Sequence, residues 1–473
     1  MLMKRLLPLL ALCCLLFEAA AQNDAARYVY DKDRLSKEFH AGRREALRRL
    51  LPDSSVAVFF SSPERNRAND VDFQYHQDPN FYYLSGFEEP HAVLLVFKEK
   101  LHFDTIFTNE LIFVQDRNAR EESWTGRRFG AEGVKSVLGF QYALPNSRFA
   151  DFPVNFARFR KVFYFPLPTD VRDNAQDKGD LFSLVKNFQA RTEKNKNNDS
   201  RLLAQCMAVL RQIKQPEEMT LLRKAIDMSC AAHIELIRAA TPGMSEYEAQ
   251  AIVEYVFKKN GSEYVGYPSI CGAGENSCIL HYINNRRPFT GKDMLLTDAG
   301  AEYHGYTADI TRTIPVNGKF SEEQKAIYNI VLEAQEAGIR ASRKGAEFRA
   351  PHKEALKVIQ KRLKELGIIK KDEEALLYFF HGTSHYLGLD VHDAGLYGHL
   401  EPGNVITVEP GIYIAEGSPC DPKWWNIGIR IEDDILVTDG DPENLSKAVP
   451  RTVEELEKLM AEESYLNKTN GEK

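Results

Sequence analysis

Residues 294–316 read MLLTDAGAEYHGYTADITRTIPV, two apolar-rich runs on either side of His304-Gly305. Runs of this kind around a glycine-containing turn predict a β-hairpin, with strands over 294–303 and 306–316. The hairpin carries two acids, Asp298 and Asp309. A turn centred between Tyr303 and His304 sets them directly opposite each other; a turn at His304-Gly305 displaces them unless a bulge restores the pairing. Carboxylates that share a sheet face repel unless a cation or a shared proton lies between them. Alone, the pair reads as two surface acids near a turn.

Further strands flank the hairpin in the sequence. Residues 404–414 and 427–437 read as two more strands joined by a Pro- and Trp-containing loop. Helices alternate with them. Pro216-Glu217-Glu218 opens one, with apolar residues and His233 recurring at spacings of three and four. Ser245 with Glu248 and Ser321 with Gln324 form capping boxes for two more, and 351–366 closes at Gly367. The second half is expected to be α+β, with a strongly curved antiparallel sheet backed by helices. Ahead of it, the polar run RTEKNKNNDSR at 191–201 reads as a linker. Before that run, β-rich segments at 56–60, 92–97 and 111–115 alternate with helical ones such as 33–51, predicting an α/β domain with a buried sheet.

Several polar residues on these strands need partners. Arg430 and Glu432 share one face of an otherwise hydrophobic strand, and Glu409 ends the apolar run VITVEPGIY. An unpaired carboxylate is costly to bury. Residues 381–395, HGTSHYLGLDVHDAG, hold three of the twelve histidines, His381, His385 and His392. The spacing of four between the first two resembles a zinc helix, but no glutamate follows His381 and the glycines at 382 and 388 argue against a long helix. Two Asp, two Glu and one imidazole suit two bridged divalent cations, with Mn²⁺, Co²⁺ or Fe²⁺ favoured over a thiolate-type zinc site and Zn²⁺ also compatible.

The segments ILHY (279–282), DAGAEYHGYTADITRT (298–313), HGTSHYLGLDVHDAG, TVEPGIY and GIRIEDDI resemble, in order and spacing, the signatures of the metallopeptidases that include aminopeptidase P, prolidase and methionine aminopeptidase. The likeness covers roughly 201–460. It implies a pita-bread catalytic domain and a dinuclear site with ligands Asp298, Asp309, His385, Glu409 and Glu432. Creatinase-like relatives lack that set. FQYHQDPNFYYLSGFEEPHAVLLV (73–96) and WTGRRFGAEG (124–133) resemble the N-terminal domain of aminopeptidase P, and Ser384 stands where prolidases more often have glycine. The resemblance implies an aminopeptidase-P-type domain over 22–200 and a catalytic domain over 201–473, and the first 21 residues read by themselves as a signal peptide.

The implied reaction is removal of the N-terminal residue from peptides with proline second, through a hydroxide bridging two metals, most favourably Mn²⁺. Prolidase activity on Xaa-Pro dipeptides is the alternative, and an inactive peptide-binding relative a third reading. Glu409 would shuttle the proton, His392 would stabilise the oxyanion and His281 would sit near the scissile nitrogen. His381, Tyr397 and Arg430 would line the substrate side. The resemblance further implies a homodimer or homotetramer. The loop 394–408 is shorter than in many relatives, which removes a place for contacts beyond the proline.

Composition sets outer bounds. The net charge of −7 in 473 residues, without a basic stripe, argues against nucleic-acid binding. Lys4 and Arg5, the apolar run 6–17 and Ala19-Ala20-Ala21 read as a secretory signal, too short for a membrane anchor, and predict a periplasmic or secreted protein. No later stretch is long and apolar enough to span a membrane. Five cysteines beyond 21, with no C-x-x-C pair, do not form a disulfide framework.

Overall fold

A computed structural model describes residues 30–174, 176–194 and 197–466. The expected signal segment, 1–21, lies outside the described residues. The chain divides into two compact units, Met1–Leu210 and Arg211–Lys473.

In the first unit one mixed sheet runs in the order Ala143–Pro145, Ile106–Val114, Val93–Phe103, Ser55–Phe60, Lys161–Phe163. Its three central strands are antiparallel and its two edges are added in parallel. Val56, Val58, Val93, Leu95, Leu111 and Phe113 are buried with Phe149, Phe156 and Phe188 in one apolar core. The long helix of this unit, Lys37–Leu50, is capped by Ser36, whose side chain accepts from the Phe39 amide.

The second unit is α+β, but its strands do not form the single curved antiparallel sheet expected from the sequence. They form separate short sheets of three, three, three and two strands. The physical reason is that each expected long strand breaks beside an acid. The run 294–303 splits into Met294–Asp298 and Ala301–Tyr303, and its partner into Tyr306–Thr307 and Thr311–Pro315. The run 404–414 becomes Val405–Val408 and Gly411–Ile414, interrupted at Glu409-Pro410, where proline has no amide to give to a ladder. The run 427–437 becomes Ile427–Arg430 and Asp433–Leu436. All paired strands of this unit are antiparallel.

The hairpin turns at His304-Gly305, both with positive φ (47° and 84°), as a two-residue turn matching strand twist requires. Asp298 therefore pairs with Thr311 rather than with Asp309. No bulge restores direct opposition, because the register is unchanged from Met294↔Pro315 to Tyr303↔Tyr306. Gly300 is needed at the break: a Cβ there would lie 1.8 Å from the Ala308 carbonyl oxygen.

The helices Pro216–Ala239, Glu246–Lys259, Glu322–Ala341 and Ala350–Glu365 fall where the capping signals place them. His233 is a satisfied core residue, its Nε2 3.0 Å from the Ala299 carbonyl oxygen. Among the described residues, no helix is long and apolar enough to cross a membrane.

Candidate metal centre

The strand breaks converge. Asp309, His385 and Glu432 each bring one ligating atom within 4.8 Å of the others. His385 Nε2 lies 3.3 Å from Asp309 Oδ2 and 3.6 Å from Glu409 Oε1. Its Nδ1 is 3.0 Å from the Tyr386 carbonyl oxygen, so Nδ1 carries the proton and Nε2 faces the acids, as a ligating imidazole requires. The segment around it has no helical turn, consistent with the glycines at 382 and 388. Its path is fixed by ladder-like bonds: Thr407 N donates to His385 O and Glu409 N to Thr383 O.

Asp298 reaches the same centre from the hairpin. Tyr267 joins the two aspartates, its hydroxyl 2.6 Å from Asp298 Oδ1 and 2.5 Å from Asp309 Oδ1. One hydroxyl has one proton to donate, so the second close approach needs a proton or a cation at that carboxylate. Glu432 Oε2 accepts from Thr311 Oγ1 at 2.5 Å. Its Oε1 is buried without a hydrogen-bond partner, as is Oδ1 of Asp434. Burial and neighbouring carboxylates push Glu409 up to about 7 and hold Glu432 and Asp434 well above the usual carboxylate range. Burial pulls His385 down, but Asp309 and Glu409 outweigh it and raise it to about 9.

The donor set therefore fits divalent cations. Buried acids outnumber the local cations, Arg430 and His385, and the orphaned Glu432 oxygen points to a missing positive partner. Oxygen-rich ligation with one imidazole suits Mn²⁺-type ions.

Other expected residues occupy distinct places. Arg430 is buried and donates to Asp298 Oδ2 at 2.6 Å, Tyr413 Oη at 2.9 Å and Thr311 Oγ1 at 3.1 Å. Tyr413 bridges it to His381, whose Nε2 is 2.9 Å from the same hydroxyl. His381 Nδ1 lies 3.6 Å from Glu409 Oε2. The His392 ring is 4.1 Å from the ring of His385. Burial, Arg430 and His352 push His381 down to about 3, and burial with His385 and His281 brings His392 to about 4. His281 is itself exposed. Tyr397 stands half exposed against the rings of Phe348 and Tyr386, at 4.7 and 5.2 Å.

Tyr267, Thr311, Tyr413 and Asp434 are additions that the sequence reading missed. Tyr413 and Asp434 sit inside segments already quoted, on the same alternation as their neighbours. Tyr267, in GYPSI, carries no local signal.

Comparisons with known proteins place the whole chain in a family. Residues 220–439 match metallopeptidase family M24, and 40–163 match the aminopeptidase P N-terminal domain. The Xaa-Pro aminopeptidase of Escherichia coli (strain K12) is 37% identical over 446 residues, covering 90% of this chain and 98% of that protein. That of Haemophilus influenzae is 34% identical over 438 residues, covering 90% and 97%. The structure of Pseudomonas aeruginosa aminopeptidase PepP superposes with a TM-score of 0.81 at 35% identity, covering 91% of this chain and 99% of that one.

Proposed function

Because the chain belongs to the aminopeptidase P group of metallopeptidase family M24, we propose that it is a metal-dependent exopeptidase that removes the N-terminal residue from peptides with proline in second position. The carrying observation is the convergence of Asp298, Asp309, Glu409 and Glu432, each at a strand break, on His385, with more buried negative charge than the protein itself neutralises. Those residues would hold two divalent ions, which when bound supply Lewis acidity at the scissile carbonyl and a nucleophile at neutral pH.

The protein's own groups do the rest. Glu409 stands between His385 and His381, 3.6 Å from each, and is placed to take a proton from the attacking water and return it to the departing proline nitrogen. His392, whose imidazole is lowered to about 4, donates to the developing oxyanion, and His281 to the substrate near the scissile bond. His381, held by Tyr413, and Tyr397 face the substrate, and Arg430 ties Tyr413 to Asp298. Proline lacks an amide hydrogen and fixes its φ, so a dedicated pocket is required.

Purified protein supplied with Mn²⁺ is expected to release the first residue of Xaa-Pro-Xaa tripeptides. Cleavage of Xaa-Pro dipeptides alone would move the assignment to prolidase. Metal uptake without cleavage of either would overturn the peptidase reading. We also propose export, supported by the basic, apolar and Ala-Ala-Ala pattern of the first 21 residues; N-terminal sequencing should find Gln22 first. A homodimer or homotetramer is the proposed assembly, to be checked by light scattering.

A further inference from the structure

His281 sits on a segment that the apolar core hardly holds. From 278 to 288, Asn285 alone is buried, and Ile279 and Ile283 on either side of His281 are 50% and 54% exposed. Leu280 and Tyr282 are partly buried against Ile270, Leu296 and Tyr413, whereas His281 between them is exposed. The anchoring is polar: Asn285 bonds the Cys271 amide and the Ser269 carbonyl, Arg287 bonds Glu275 and Asp293, and a further set of bonds comes from one face of the helix Glu246–Lys259.

Glu246, the first residue of that helix, is fully buried. Its Oε1 accepts from the Ala273 amide and from Asn276 Nδ2, both at 2.9 Å. Its Oε2 accepts from the Tyr282 hydroxyl at 2.8 Å and the Arg287 amide at 2.7 Å. These four donors are neutral, and the carboxylate's charge is met by them and by the positive end of the helix. One turn along, Gln250 Oε1 accepts from Asn285 Nδ2 at 2.9 Å. A further turn along, Glu254 Oε1 accepts from Gln250 Nε2 at 2.8 Å and from Ser269 Oγ at 3.0 Å. Spacing of four places all three side chains on one helix face.

We infer that Glu246 is a positioning residue for His281: it clamps both ends of the 273–287 segment and, through Tyr282, fixes the neighbouring imidazole over the candidate centre. This rests on the site role proposed for His281. Glu246 touches no reacting group. A glutamine there keeps one acceptor oxygen and presents an N–H₂ where two donors converge. The Tyr282 hydroxyl can rotate to accept; the Arg287 amide cannot.

The test is a double-mutant cycle on Mn²⁺-loaded protein with an Xaa-Pro-Xaa tripeptide, alongside metal content by mass spectrometry. Glu246→Gln is expected to lower kcat by roughly 10- to 100-fold, the range typical of supporting partners, with metal content unchanged. In a His281→Ala background the same substitution should change kcat by less than about twofold. Tyr282→Phe removes one donor only and should show the same dependence on His281 with a smaller loss, which keeps the cycle available if Glu246→Gln folds poorly. Equal losses in both backgrounds, or loss of metal, would make the clamp merely structural and overturn the inference. Full activity of His281→Ala would do so too. A wild-type protein inactive on all peptides would instead sink the peptidase reading, on which this one stands.

Discussion

Both units bury acids, and they treat them in opposite ways. In the first, Glu110 is gripped by Arg44 Nε and a terminal nitrogen at 3.0 Å and by Arg48 at 2.9 Å. Arg44 also donates to the Leu84 carbonyl and lies under the Phe140 ring. Burial alone would raise Glu110, but the two guanidinium groups hold it below its ordinary value. In the second unit three consecutive acids split by strand alternation. Asp433 faces Arg312, 2.8 Å away, and is held low despite burial. Glu432 and Asp434, on the other side, are raised, each with an oxygen left without a partner. A buried charge that is neutralised supports the fold; a buried charge left over is a site awaiting its cation.

The contrast can be broken at several points. The largest effect is expected from His385→Ala, which removes the imidazole lying against both Asp309 and Glu409. Bound metal should fall and hydrolysis should drop by more than the roughly 10- to 100-fold typical of supporting partners, both measurable on the same sample. Arg44→Ala should do the reverse: it strands Glu110 and costs about 3–5 kcal/mol of stability, read by denaturant unfolding, with metal content unchanged. Tyr267→Phe should loosen the two aspartates and weaken metal affinity about 10- to 100-fold, followed by calorimetric titration, while leaving thermal unfolding of the metal-free protein nearly unmoved.

The smallest effect belongs to a group that both forms of burial would predict. His40, buried in the first unit, is lowered from 6.5 to about 4, mainly by burial. The unfolded chain then binds the proton more readily, so the stability His40 contributes is intact above pH 6.5 and is lost as pH falls toward 4. Between pH 7 and 5.5 the loss should be on the order of 1 kcal/mol. His40→Gln should flatten the pH dependence of unfolding by that amount; an unchanged slope would refute the assignment.

Much of the candidate site is legible along the chain because its acids stand out locally. Glu409 ends an apolar strand before Pro-Gly, and Glu432 alternates with isoleucines, so each announces a buried charge. Sheet geometry is less legible. The runs 294–303, 404–414 and 427–437 look continuous because apolar patterning passes through the acids. Regular strands lapse beside those acids although single backbone bonds persist there, as from Ala299 N to Ile310 O and from Glu432 N to Thr311 O. Close approaches such as the Ala308 carbonyl against Gly300 appear only once the chain is folded. Turn position was likewise open: glycine at 305 allowed either register, and only the positive φ of His304 settles it.

The sequence by itself determined which helices cap where and to which family the chain is similar, and through that resemblance offered candidate metal ligands, because caps and family motifs depend on residue type at short spacing. Only the tertiary structure decided that the sheets are short and separate, and that Tyr267 joins aspartates 31 and 42 residues away. It alone placed Glu246 beneath the segment of His281. Those pairings are set by which atoms remain unsatisfied once the chain is packed, a quantity that no local pattern encodes.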